Sequence, residues 1–266
     1  KRGLDKPIYL ALSYDEEVGC IGAPRMIERL MADHPRPAAV IVGEPTMMQP
    51  VVAHKGATNL RTTVTGRASH SSQVDQGVSA IHVAARLVTK IEDVMSELRA
   101  EGRVDEAFNV AHSSLHVGKI AGGTAINIMA RECTFEWEIR HLPSDRFEEL
   151  IGRVNAYAEE LEAEMQRRAP ETGIVTEALN VTVPALADDN NAQVLDLCRE
   201  LLGEQPSGAV AYATEAGQFQ RVGLPTVICG PGSIRQAHQP DEYIEIDQLA
   251  AGTRFMQALG RRLANG

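Results

Sequence analysis

The stretch Pro7-Ile8-Tyr9-Leu10-Ala11-Leu12-Ser13-Tyr14-Asp15-Glu16-Glu17-Val18-Gly19-Cys20-Ile21-Gly22 decides how the rest of the chain is read. The apolar run 8–12 predicts a buried strand, and Gly19, Gly22 and Pro24 predict the turn into a helix. Glu16 and Glu17 then stand at the carboxyl end of that strand, which is where ligands bind in open α/β sheets. Adjacent carboxylates in a crevice repel, and desolvation pushes them toward protonation unless a cation relieves them. A metal ion is the simplest relief, with one carboxylate as ligand and its neighbour as proton carrier. Taken alone, the pair reads better as a solvated acidic turn, and the remainder of the chain reverses that reading.

Outward from this stretch the pattern is strand and helix in alternation. Residues 23–34 place Met26, Ile27, Leu30 and Met31 on one helical face, and Pro35 and Pro37 end the helix. The run 38–42 predicts a second buried strand, ending in Gly43-Glu44-Pro45-Thr46, so another strand terminates in a carboxylate. A short strand at 51–54 breaks at Lys55-Gly56. The same rhythm returns from Asp188: a helix over 190–202, a strand over 209–212, a helix from Thr214, a strand over 226–229, a Gly-rich loop and a last helix over 247–263.

Between these parts the style differs. Residues 58–66 alternate, with Leu60, Thr62 and Val64 on one face, and the polar loop Ala68-Ser69-His70-Ser71-Ser72 leads into a helix over 78–100. Ile81, Ala85, Leu87, Val88, Ile91 and Val94 are spaced for burial along it. Strands follow at 115–120 and 132–140. The second carries Cys133, Phe135, Trp137 and Ile139 on one face and charged or polar residues on the other, as in an antiparallel sheet with one wet face. Asp145 is predicted to cap a helix reaching Ala169, before a strand over 175–183. This order is the split βαβ pattern. The fold class expected is therefore an α/β domain, residues 1–56 and 184–266, interrupted by an inserted α+β ferredoxin-like domain, residues 57–183.

Composition narrows the chemistry. The chain has 266 residues, 44% of them hydrophobic, and a net charge of -10 without any Lys/Arg block, which argues against nucleic acid or an anionic membrane as partner and for a small molecule. Cys20, Cys133, Cys198 and Cys229 are far apart in apolar company, so they read as reduced core thiols and suggest the cytoplasm. No apolar run approaches membrane-spanning length. Lys1 stands where an initiator methionine is expected, and a missing N-terminal part is inferred.

His238, in the loop Gly230-Pro231-Gly232-Ser233-Ile234-Arg235-Gln236-Ala237-His238-Gln239-Pro240-Asp241-Glu242, is the third ligand-type side chain beyond a strand of the α/β domain, after Glu17 and Glu44. Mixed carboxylate and imidazole donors suit zinc, with cobalt or manganese as substitutes.

Together these segments resemble the M20-type zinc-dependent amidohydrolases and exopeptidases, over essentially the whole chain. The resemblance rests on Ser13-Tyr14-Asp15-Glu16-Glu17-Val18-Gly19, Val42-Gly43-Glu44-Pro45-Thr46, Ala68-Ser69-His70-Ser71-Ser72, Tyr212-Ala213-Thr214-Glu215-Ala216-Gly217-Gln218-Phe219, and Cys229 to Ser233 with Ala237 to Glu242. The fourth motif and Gly-Pro-Gly-Ser-Ile point to a deacetylase branch rather than to the desuccinylases. The resemblance implies a zinc-exopeptidase-like catalytic domain with a lid or dimerisation domain, and hydrolysis of the N-acyl amide of an amino acid. It makes Glu16 the general base and acid, Glu17 a ligand of one zinc, Glu44 a ligand of a second, and His238 a further ligand of the ion that Glu17 holds. His70 would reach across a homodimer formed through the inserted domain and stabilise the oxyanion. Asn127, Arg140 and Thr214 match positions that contact substrate or intermediate, and Glu215 would meet the amine of an ornithine-like side chain.

Each assignment has a plainer reading in the residues: His70 as a helix-capping loop residue, Arg140 as a charge on a wet strand face, Glu215 as a helix start. A desuccinylase, an aminoacylase, or a catalytically silent dimerisation module are the competing functions. The sequence also departs from the family. None of its eight histidines is followed two residues later by aspartate, so the upstream His-x-Asp ligand and the bridging aspartate are missing. These residues alone are expected to bind zinc weakly or not at all and to be inactive.

Overall fold

The computed structural model describes residues 4–264 and divides the chain into two compact units. The first comprises Lys1–Lys55, Ala107–Asn109 and Val183–Gly266; the second comprises Gly56–Glu106 and Val110–Thr182.

In the first unit the elements are α1 (Ala23–Asp33), β1 (Val40–Val42), β2 (Val51–His54), α4 (Ala192–Leu202), β7 (Gly208–Val210), α5 (Ala216–Arg221), β8 (Thr226–Ile228) and α6 (Ile246–Leu263). Here α4 and β7 follow, in chain order, the elements of the second unit given below. The sheet order is β1-β8-β2-β7, with β1 parallel to β8 and β2 parallel to β7, while β2 and β8 run antiparallel. One face of the sheet is covered by α4 and α6 through Val52, Val194, Cys198, Val227 and Phe255; the other packs Ile27 of α1 against Phe219 and Leu224. All four cysteines are free and buried, as the sequence implies.

The apolar run 8–12 is not a strand. Ile8, Leu10 and Leu12 are 39%, 79% and 79% exposed. A strand forms only where a neighbour supplies the ladder, and none of the described strands pairs with this run. The run is thus neither paired nor buried, against the buried strand expected, because pairing is a property of the fold and not of the segment.

The second unit contains β3 (Gly56–Thr65), a short 3-10 helix (Ser71–Gln76), α2 (Ala80–Ala100), β4 (Ser114–Gly122), β5 (Glu132–His141), α3 (Phe147–Arg168) and β6 (Gly173–Ala178). Its sheet is antiparallel throughout, in the order β4-β5-β3-β6, the split βαβ topology. Both helices lie on one face. Leu60, Val64, Cys133, Phe135 and Ile139 from the sheet meet Leu87, Ile91 and Val94 of α2 and Leu150, Val154 and Leu161 of α3. Burying a leucine or isoleucine of this kind is worth about 1.5–3 kcal/mol, so the shared core holds this unit together. On α2 the buried stripe is Ala80, Val83, Ala84, Leu87, Ile91, Val94 and Leu98; Ile81 and Ala85 face outward, one position off the stripe expected.

Asp145 does not cap α3. The N-cap is Arg146, without a side-chain cap bond. Asp145 is buried, accepts from Arg103 Nε at 2.8 Å and takes the Ser113 hydroxyl as a second donor. A charge-assisted bond to a guanidinium is stronger than a cap, which explains the substitution of roles. Arg103 also reaches Glu149, and Arg153 binds Glu101 and Glu149, so the end of α2 is fastened to the start of α3.

Candidate active site

The carboxylates of the first unit converge. After residues 8–12 the chain turns through Asp15 (φ 56°), Gly19 (φ 108°) and Cys20 (φ 55°), and α1 begins with Pro24 inside its first turn. Within this turn the amides of Gly19 and Cys20 donate to Glu16 O, and Cys20 Sγ donates to Glu16 Oε1 at 3.3 Å. Burial first, and then the nearby Glu16 charge, push the Cys20 thiol far up, so it stays protonated and serves as a donor. Glu17 is exposed, and its Oε2 lies 3.1 Å from His238 Nε2. His238 sits in a left-handed conformation (φ 58°), and its N–H donates to Glu242 Oε2 at 2.9 Å.

Glu44 lies just past β1. Burial raises its pKa to about 7, and the charges of Glu16, Glu215 and Glu17 add to the rise while His238 opposes it. Burial also pushes Tyr212 up to about 12, with Glu44 contributing. Glu44, Glu16, Glu17, Glu215 and His238 are therefore electrostatic neighbours.

Thr214 and Glu215 lead into α5. Thr214 is buried, and its Oγ1 accepts from Ala216 N at 3.1 Å. Glu215 is buried; desolvation raises its pKa, the Ser13 hydroxyl bond works the other way, and Glu16 adds to the rise. The turn is fixed by a residue that sequence reasoning missed. His54, fully buried at the end of β2, accepts from Gly217 N through Nε2 at 3.1 Å, and its Nδ1 lies 2.8 Å from Lys55 O. With Nε2 accepting, Nδ1 carries the proton and donates to that carbonyl. A side chain at 217 would run into the Pro184 carbonyl oxygen, so glycine there permits the close approach. Gln218 and Cys20 were also missed: Gln218 Nε2 donates to Cys20 O at 3.1 Å, joining residues 198 positions apart, a link without local signature.

Three expected site residues belong to the second unit. His70 caps the 3-10 helix, its Nδ1 accepting from Ser72 N at 3.2 Å with Ser72 Oγ at 2.8 Å. The capping reading is thus realised, and it leaves the ring proton on Nε2, an outward donor. Asn127 lies beside it: Ser71 N donates to Asn127 O at 2.9 Å, and Met129 N donates to Ser69 O at 2.8 Å. Arg140 is paired on the sheet surface with Glu138, at 3.1 Å from Nε and 3.0 Å from Nη2.

Carboxylate and imidazole donors with mutual repulsion fit a divalent cation in chemistry. Glu17 and His238 are in contact, yet among the described residues no group of three His, Cys, Asp or Glu side chains is arranged to hold a metal ion. The donor set present is a partial one.

The first unit is an α/β unit with clustered carboxylates and the second a split βαβ unit, and the chain belongs to the M20 peptidase family. Residues 52–166 match the peptidase dimerisation domain family. The chain is 35% identical over 265 residues to acetylornithine deacetylase of Pasteurella multocida, covering 99% of this chain and 66% of that protein. It is 37% identical over 254 residues to acetylornithine deacetylase of Shigella sonnei, covering 96% of this chain and 62% of that protein. It thus spans about two thirds of the length of these relatives or slightly less. In fold it is similar to the aminopeptidase PepT of Bacillus cereus (TM-score 0.68, 21% identity, 95% of this chain and 63% of that one). A tripeptidase of Staphylococcus aureus gives TM-score 0.68 at 23% identity, over 96% of this chain and 63% of that one. The family is generally metal-dependent. No helix among the described residues is long and apolar enough to cross a membrane.

Proposed function

We propose that the protein carrying this chain hydrolyses the N-acyl amide of an amino acid, with N2-acetyl-L-ornithine as substrate and L-ornithine and acetate as products. The observation that carries this reading is the convergence of Glu16, Glu17, Glu44 and Glu215 on one another in the first unit, with His238 as the opposing partner, in a chain related to two acetylornithine deacetylases.

Zinc, held by Glu17, Glu44 and His238 together with ligands outside this set, would supply Lewis acidity toward the scissile carbonyl; cobalt or manganese would substitute. Glu16 takes the proton from the attacking water and returns it to the departing amine, the two halves of general base and acid catalysis. Its Oε1 is held by the Cys20 thiol, which orients the carboxylate without neutralising it. Thr214 supplies a hydroxyl near the carbonyl carbon, and Glu215 faces the cationic side chain. His70 contributes Nε2–H to the developing oxyanion, Asn127 sits beside it, and Arg140 exchanges Glu138 for the substrate carboxylate, which a guanidinium grips with two bonds.

The domains divide the work, residues 1–56 and 184–266 catalysing and residues 57–183 serving as lid and dimerisation domain. A cytoplasmic homodimer through the inserted domain is part of this proposal. Its support is the dimerisation-domain match and the cavity of about 590 Å³ beside the His70 loop, where Val74, Ile126 and Ile128 are exposed. The deciding experiment is steady-state kinetics of the zinc-loaded protein on N-acetylornithine and N-succinyl-diaminopimelate. The reading expects kcat/KM at least about tenfold higher for the first, since substituents that leave site groups unpaired are rejected by that much or more. Preference for the succinyl substrate would reassign it as a desuccinylase.

A further inference from the structure

Cys198 on α4 and Cys229 just past β8 meet in the core of the first unit, where their thiols are hydrogen-bonded to each other. The other two cysteines keep different company: Cys20 donates to Glu16, and Cys133 lies in the core of the second unit. Both backbones that carry the pair are held in place. Cys229 N donates to Val42 O at 2.9 Å, which carries the β1–β8 ladder on to this residue. Asn191, at the start of α4, accepts from Thr226 N at 3.1 Å and donates through Nδ2 to Val52 O at 3.2 Å, so the helix is pinned to β8 and β2.

The two sulfurs are not equivalent. The bond from Cys198 holds the Cys229 thiol below its usual value, with burial opposing and the Thr46 hydroxyl helping, while the same bond and burial push Cys198 up. Thr46 is itself set by Gly230 N, which donates to its Oγ1 at 3.2 Å. Cys229 is therefore the sulfur with thiolate character, and Cys198 the one that donates. Met48, Val52, Val194, Val227 and Phe255 pack around the pair. At 0% and 4% exposed, these residues exclude a large oxidant, and the nucleophile beside an oxidised Cys229 is the Cys198 thiol.

We propose that Cys198 and Cys229 are a peroxide-sensitive dithiol that closes reversibly to a disulfide, fastening α4 to the root of the 230–242 loop. The Cys229 thiolate attacks an oxygen of hydrogen peroxide, the O–O bond breaks, and a sulfenic acid and water form. The Cys198 sulfur then displaces that oxygen, which leaves as a second water with the Cys198 proton. The two thiols lose two electrons and two protons, and the peroxide takes both. The loop that carries His238 starts one residue after Cys229.

The test treats the folded protein with hydrogen peroxide, alkylates it in denaturant with N-ethylmaleimide and maps it by peptide mass spectrometry. A linked Cys198–Cys229 pair is expected, about 2 Da lighter than the sum of its two thiol peptides, with Cys20 and Cys133 alkylated and both linked thiols restored by dithiothreitol. In Cys198→Ser the hydroxyl keeps a donor and the second sulfur is gone, so dimedone should label Cys229 as the sulfenic acid. Both cysteines found as thiols after peroxide, a link from either to another cysteine, or oxidation that dithiothreitol does not reverse overturns the proposal. Should Cys198→Ser fail to fold, the map of the unaltered protein still decides.

Discussion

The α2–α3 seam of the second unit and the strand ends of the first treat charge in opposite ways. At the seam, Arg103 and Arg153 are matched by Asp145, Glu149 and Glu101, and the guanidinium bonds hold Glu101 and Glu149 below the usual carboxylate range. At the strand ends, carboxylates face carboxylates: Glu44 is pushed the other way by burial and by Glu16, Glu215 and Glu17, and Glu215 by burial and by Glu16. Interactions satisfied within the chain contribute stability. Interactions left unsatisfied cost stability, and perturbed carboxylates cluster at functional sites, which is why the proposed site is placed here.

The contrast can be broken at several points. The largest effect should come from Glu16→Gln in the protein that carries this chain: turnover falls by about a hundred- to ten-thousandfold, the usual share of a general base, while metal content measured by atomic absorption persists. Loss of the metal instead would mean that Glu16 and Glu17 exchange roles. Next, Asp145→Ala should destabilise the chain by about 3–5 kcal/mol in urea unfolding, because it leaves the partly buried Arg103 without its most buried partner. An effect under about 1 kcal/mol would show the seam to be ornamental. His54→Leu leaves the buried Gly217 amide without an acceptor and should cost about 1–3 kcal/mol in the same assay. The least effect is expected at the exposed pair Arg67–Glu171, where the guanidinium lowers the carboxyl to about 2. A depressed carboxyl stabilises above its unfolded value and loses that contribution as pH falls toward 2. Arg67→Ala should remove this small acid dependence, and 1 M salt should mask it.

The second unit was the more legible of the two. Cys133, Phe135, Trp137 and Ile139 alternate over a buried face, a period-two signal that needs no knowledge of the partner strands, and β5 runs over Glu132–His141 as that alternation requires. Residues 8–12 failed because apolarity says what a segment would like and not which strand lies beside it. Asp145 failed for the same reason, its partner Arg103 lying 42 residues earlier. In the candidate site, the residue types at strand ends were readable as chemistry. The groups that hold them, Cys20, His54 and Gln218, were not, since their bonds connect segments with no local pattern in common.

His238 adopts φ 58°, a backbone region in which a side chain costs an L-residue roughly 1–2 kcal/mol and glycine almost nothing. The loop would fold more comfortably around a bare α-carbon, and a laboratory selection for heat resistance alone would be free to discard the imidazole. Under the proposed metal-ligand role, that strain is what holding an imidazole against Glu17 costs the loop.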